Sequence, residues 1–158
     1  MMDYSQWFQE QLQVSADGFV WSAEQVPVAR QNLQPPTELG QWSAARHVFH
    51  LWYYEQTIAL PSMRQWLDGI KPAMEGLDED IAWTQNQERI ENLLDQFRNV
   101  RAEQIALLPE FEASAWSATR KTVWGTVTLL WVVSKTYQHT AEHTSDVLQI
   151  RLWWDAYL

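Results

Sequence analysis

Apolar residues recur along most of the chain at the three- and four-residue spacing that places side chains on one face of an α-helix. Tyr4, Phe8, Leu12, Ser15 and Phe19 follow that spacing, with Asp3 or Ser5 as the N-cap of a first helix. Pro27 ends this helix or begins a short extra turn through Arg30, and Gln34-Pro35-Pro36-Thr37 is a linker. A second helix begins at about Trp42 or Ser43 and runs to about Leu60. Pro61 kinks or stops it, because proline lacks a backbone donor and clashes with the preceding turn. Residues 62–67 fit one more turn, and residues 68–80 form an acidic loop containing Gly69, Pro72 and Gly76. A third helix from about Trp83 to Leu108 carries Ile90, Leu94, Phe97, Ile105 and Leu108 on one stripe, and Pro109 terminates it. Residues 110–121 then lead to a fourth helix from about Thr122 to Trp154. No Asn-Gly or Asp-Gly turn lies between alternating runs, and Asp17-Gly18 falls inside the first helical pattern. The pattern predicts a single all-α domain over residues 1–158, built as a four-helix bundle.

Two of these helices have an unusual polar stripe. Within about 60° of His50 on a helical wheel lie Ser43, Arg46, His47, Tyr54 and Thr57. Apolar arcs border that stripe on both sides: Ala44, Leu51 and Ile58 on one, Trp42, Phe49, Tyr53 and Leu60 on the other. A stripe so bordered can line an internal pocket instead of facing water. In the last helix, Thr128, Val132, Lys135, Thr136, His143, Asp146 and Ile150 share the face of His139. Leu130, Tyr137, Ala141 and Leu148 lie opposite, so this helix is central in the bundle or borders a second subunit.

Composition narrows the partners. With hydrophobic residues at 46% and charged residues at 20%, the chain is ordinary for a globular domain. The net charge is −9, and the eleven basic residues are scattered, with Arg120-Lys121 the only adjacent pair. No basic patch is available to neutralise phosphates, which argues against nucleic acid and against an anionic membrane surface. The longest apolar run, Val123 to Val133, contains two threonines and a glycine and is too short to span a bilayer. The first residues carry no basic segment followed by an apolar one, so a soluble cytoplasmic protein is the expectation. Eleven tryptophans can line a pocket or a subunit contact as well as fill a core. Trp52 and Trp131 fall away from the histidine faces and are candidates for a dimer interface, whereas Trp153 and Trp154 fall on the histidine side.

The chain has four histidines, in two pairs: His47 and His50, His139 and His143. His139 and His143 stand one turn apart on one helix face and can offer two imidazole nitrogens to a single point. One histidine of the earlier pair, His47 or His50, would complete a three-histidine set. Neutral imidazole suits zinc, nickel, iron or copper, and the absence of cysteine leaves nitrogen and oxygen as the only ligand types. Three protein ligands leave a coordination position open, as in catalytic rather than structural sites. Such a centre can polarise a carbonyl, or bind and deprotonate a water or thiol. Tyr54, Glu142 and Asp146 are candidates for acid–base work or for holding the histidines. Glu55 lies well round the wheel from His50 and suits an ion pair or inter-helix contact.

The segment Trp42-Ser43-Ala44-Ala45-Arg46-His47-Val48-Phe49-His50-Leu51-Trp52-Tyr53-Tyr54-Glu55 resembles the second helix of the DinB/YfiT-like family. That family has Trp-Ser near the helix start, then His-Leu, then an acidic residue five positions after the histidine. His139-Thr140-Ala141-Glu142-His143 looks like its second motif, His-x3-His late in the last helix. The family's Gln-Ile following that motif is shifted here: Asp146-Val147 takes the near position and Gln149-Ile150 comes later. The resemblance spans nearly the whole chain and implies a bacterial four-helix bundle of up-down-down-up topology, often a homodimer. It implies a divalent metal (zinc, nickel or iron) on His50, His139 and His143, with His47 as a pocket or rim residue. Relatives of this kind include low-molecular-weight-thiol-dependent transferases and isomerases. A thiol would have to come from a cofactor or substrate, since the chain has no cysteine.

Two functions follow as expectations. One is a metal-dependent enzyme (a thiol-dependent transferase or isomerase, or a hydrolase) acting on a small molecule. The other is a non-enzymatic bundle, a ligand-binding or stress-associated module whose metal is structural or absent.

Overall fold

The computed structural model describes residues 4–158, so the Asp3 cap lies outside the described residues. Six α-helices and one β-hairpin are present among them: α1 (Tyr4–Glu24), α2 (Ala44–Tyr54), α3 (Leu60–Asp68), α4 (Glu79–Gln85), α5 (Ile90–Leu107), β1 (Thr119–Thr122), β2 (Gly125–Thr128) and α6 (Leu129–Trp153). α2 and α3 run on through a π-turn at Glu55–Ala59, so the bundle has four long rods: α1, α2–α3, α5 and α6. α1 packs along α6 and α5, and α2 packs against α5 and α6.

Four expected boundaries are corrected. Pro61 does not stop the second helix. The Leu60 N–H bonds to the Glu55 carbonyl, five residues back, and this wider turn spares the helix the clash of the proline ring with the turn before it. The helix then continues to Asp68 and ends on Gly69, whose φ of 74° is the left-handed cap that glycine favours. The acidic loop closes earlier than expected. Asp78 caps α4 by accepting the Ile81 N–H at 2.9 Å, and Glu79 and Asp80 form its first turn. The third helix is broken: Asn86 leaves α4 in an extended conformation, its side chain accepts the Glu88 N–H, and α5 begins at Ile90.

The fourth correction is the hairpin. Residues 122–128 were expected to be helical, but Thr119–Thr122 pairs antiparallel with Gly125–Thr128. The sequence Thr-Arg-Lys-Thr-Val-Trp-Gly-Thr-Val-Thr is rich in β-branched residues, which favour a strand. Gly125, at φ 97°, makes the turn, and the Thr122 hydroxyl both donates to the Gly125 carbonyl and accepts the Trp124 N–H. α6 therefore starts at Leu129, with the Thr128 hydroxyl capping the Trp131 N–H.

The apolar interior is divided in two. One cluster gathers Phe19, Val48, Phe49, Leu93, Phe97, Val147 and Ile150, with Phe19 and Phe97 edge-to-face at 5.3 Å. The other gathers Phe8, Leu12, Met63, Trp66, Leu108, Trp116 and Leu129. Between the two clusters every rod contributes polar residues to the interior: Ser15 on α1, Glu55 after α2, Arg101 and Gln104 on α5, and Thr136, His139, Thr140 and His143 on α6. That polar layer holds the candidate site.

A three-histidine candidate site and its outer shell

His47 and His50 come from α2, whose start is fixed by the Ser43 hydroxyl accepting the Arg46 N–H at 3.1 Å. His139 and His143 come from the middle of α6. The facing rods bring three ring nitrogens together: His50 Nε2 lies 2.9 Å from His139 Nε2, and His143 Nε2 lies 3.1 Å from His139 Nε2. Thus His50, His139 and His143, singled out from the sequence, do converge. His47 is buried beside them, its Nδ1 2.8 Å from His143 Nδ1.

The outward nitrogens explain the inward ones. His50 Nδ1 lies 2.8 Å from both oxygens of Glu79, an acceptor, so this ring carries its proton on Nδ1 and turns the Nε2 lone pair inward. Glu79 is in turn held by Arg46 at 2.9 Å, which also reaches Asp80 at 2.9 Å. The Arg46 guanidinium is buried among the rings of Trp42, Phe49 and Trp83, at 4.8 to 5.5 Å. Without a cation the centre is poorly satisfied. Three Nε2 atoms face one another, and His139 Nδ1 is buried with no partner among the described residues. A cation at the meeting point would take all three lone pairs. His143 Nδ1–H could then donate to His47, as metal-bound histidines commonly do to an outer acceptor. The donor set and its convergence therefore fit a divalent ion.

Electrostatics point the same way. Burial, reinforced by His50 and Arg46, holds the His47 pKa down to about 4. Burial, with the charges of His50, Lys135 and Arg101, brings His139 to about 3. His143 falls to about 2 through burial and its histidine neighbours. All three rings are neutral at pH 7, the form that binds metal. His143 lies 3.9 Å from Asp146, but a neutral ring makes this a polar contact, not an ion pair.

Other candidates fall out unevenly. Tyr54 packs its ring on His139 at 4.4 Å, its hydroxyl is buried without a partner among the described residues, and burial pushes its phenol well above the usual range. Glu142 is exposed and accepts from Gln138, away from the cluster. Glu55 makes the expected inter-helix ion pair: it is buried against Arg101 of α5, with Gln104 donating to it at 3.2 Å. Burial pushes its carboxyl up, against the pull of Arg101. Trp131 is exposed, and Trp154 is buried in the first apolar cluster. Sequence reasoning missed Glu79 and the roles of Arg46 and Trp42. Asp78 followed by Glu79 and Asp80 was a legible helix start. Trp42 roofs the centre, stacked parallel on His143 at 6.0 Å and 4.9 Å from His50.

A mostly helical four-rod bundle with histidines converging between two rods is the class of protein defined so far. Residues 9–147 match the model of the DinB superfamily, and the chain belongs to that family. Among solved structures it is similar to YfiT from Bacillus subtilis, described as a probable metal-dependent hydrolase with an unusual four-helix bundle topology. The TM-score is 0.78 at 16% identity, over 98% of this chain and 90% of that one. It is also similar to the mycothiol-dependent maleylpyruvate isomerase, with a TM-score of 0.73 at 17% identity over 90% of this chain. A mutant of that isomerase gives 0.72 at 18%. The chain covers 60% of the isomerase's length. No curated protein matches in sequence. No helix among the described residues is long and apolar enough to cross a membrane.

Proposed function

We propose that this protein is a divalent-metal-dependent enzyme acting on a small molecule, with His50, His139 and His143 as the metal ligands. The observation that carries the proposal is the convergence of three Nε2 atoms whose outward nitrogens, on two of the three rings, are held by Glu79 and His47. A bound zinc, nickel or iron ion would supply Lewis acidity at a coordination position the protein leaves open. The chain's own residues do the rest. Glu79 and Arg46 orient His50, Trp42 shields one side of the cluster from water, and Tyr54 packs on His139 with a phenol that stays protonated as a hydrogen-bond donor.

Within that class, the reading extends to a thiol-dependent transferase or isomerase, or a hydrolase, in a soluble cytoplasmic homodimer. The described similarities to a metal-dependent hydrolase and a mycothiol-dependent isomerase support these options. A non-enzymatic bundle with a structural metal would close the shell with a fourth protein ligand. The donor group around the three Nε2 atoms contains His50, His139 and His143 alone among the described residues, which favours the enzyme.

The test is metal analysis of purified, metal-loaded protein beside His139→Ala and His50→Ala. Each variant should lose the ion bound at the three-histidine centre while keeping its helical circular dichroism. Unchanged metal content in both variants would sink the assignment.

A further inference from the structure

On the far side of His143 lies a second donor group that the three-histidine centre does not use. One ring nitrogen each of His47 and His143 and a carboxylate oxygen of Asp146 all lie within 4.8 Å of one another, and His143 Nδ1 is 2.8 Å from His47 Nδ1 and 3.9 Å from Asp146. His143 and Asp146 are three residues apart on one face of α6, and His47 reaches across from α2. The group opens onto a cavity of about 290 Å³, also lined by Trp42 and residues 39–41, with room for an ion and its waters. Asp146 accepts no hydrogen bond among the described residues, lies 3.9 Å from His143 Nδ1 and lines this cavity. Two imidazoles and a carboxylate form the donor set of an open zinc-type site.

We infer that His47, His143 and Asp146 form a second divalent-cation site, and that His143 bridges it to the three-histidine centre through its two ring nitrogens. Nε2 faces His139 and Nδ1 faces His47, so the geometry gives each ion one nitrogen of the same ring. Filling the second site displaces the remaining ring proton of His143, which passes to solvent. In the singly loaded protein, His47 reverts to the outer acceptor described above. The inference rests on the proposed three-histidine site for the bridge, but not for the second site itself.

Titration of the full chain with Zn²⁺, read by equilibrium dialysis, should saturate at about two ions per chain. His47→Ala and Asp146→Asn should each saturate at one, and His139→Ala should also saturate at one. With Cu²⁺ as the probe, wild type should give the half-field electron paramagnetic resonance signal of a coupled pair, and Asp146→Asn should give isolated ions. Wild type saturating at one ion that survives in both His47→Ala and Asp146→Asn would overturn the inference and leave the three-histidine site standing. One ion lost in those two variants but kept in His50→Ala and His139→Ala would do the reverse: the second site would stand and the first would fall.

Discussion

Two buried polar clusters lie side by side in the layer between the apolar halves of the bundle. They share α6, where Thr140 faces one and His139 the other. In the first, Arg101 spends all its donors. It pairs with both oxygens of Glu55 and donates to the Leu12 carbonyl at 2.8 Å, the Ser15 hydroxyl at 3.1 Å and the Thr140 hydroxyl at 2.7 Å. Among the described residues, only the Gln104 side-chain oxygen lacks a partner there. In the second, three imidazole nitrogens face one another, and His139 Nδ1 and the Tyr54 hydroxyl are orphaned. Buried polar groups are ordinarily paired, so the first cluster, with its ions fully paired and one amide oxygen left over, is nearly complete as it stands, and the second is built for something from outside. The contrast separates a residue that holds the bundle together from one that serves a ligand, although both are polar, buried and on facing helices.

The largest effect should come from breaking the closed cluster. Arg101→Met leaves the Glu55 carboxyl buried without its partner and should cost about 3–5 kcal/mol in urea unfolding. Metal binding by the fraction that remains folded should change little. His139→Ala should do the opposite, with a much smaller loss of stability in the metal-free protein and loss of metal at the three-histidine centre. Equal stability losses in the two variants would erase the distinction between the clusters.

An intermediate effect tests the shell around the open cluster. Glu79→Gln keeps the shape of the side chain but weakens the acceptor that fixes the His50 proton on Nδ1. It should weaken metal binding by about 10- to 100-fold, with the fold intact. Isothermal titration with Zn²⁺ reads this directly, and an unchanged affinity would mean that Glu79 packs against His50 without orienting it.

Taken per ring and per pH unit, the effect is smallest in pH dependence, at most about 1.4 kcal/mol. His47, His139 and His143 have folded pKa values of about 4, 3 and 2, below the value near 6.5 expected in the unfolded chain. As pH falls through about 6.5, the unfolded chain takes up protons that the folded metal-free protein does not. Stability should therefore be level above that pH, and should decline below it until the pH passes the folded values. Urea midpoints of the metal-free protein measured between pH 8 and pH 5, at roughly one-unit steps, should show this slope, reduced in His139→Ala. A flat profile would mean that the rings are already exposed to water.

Much of this was readable in the sequence. The four rods follow from apolar spacing, and the polar stripes on two of them identified the histidine faces, because a helix fixes which residues share a face. The same reason put His139 and His143 together with one histidine of the earlier pair, and the family resemblance chose His50 over His47. What escaped depends on distance in the chain or on local geometry. Glu79 reaches His50 across 29 residues and a loop, so no periodicity links them. Arg46, on a polar stripe, is buried because three aromatic rings surround it, which a wheel does not reveal. The hairpin merged with α6 because Val123, Trp124 and Val127 lie close before the apolar start of the helix, and its turn uses Val123-Trp124 ahead of Gly125 in place of the more familiar Asn-Gly. The π-turn before Pro61 is a backbone adjustment that composition does not report.

The central claim is that the open cluster is a metal centre. Crystals of the protein loaded with Zn²⁺, measured on both sides of the zinc absorption edge, test it most directly. The account predicts an anomalous peak about 2.0–2.1 Å from the Nε2 atoms of His50, His139 and His143 together. A well-ordered site with no peak at that point after loading, or zinc bound only elsewhere on the molecule, would contradict it.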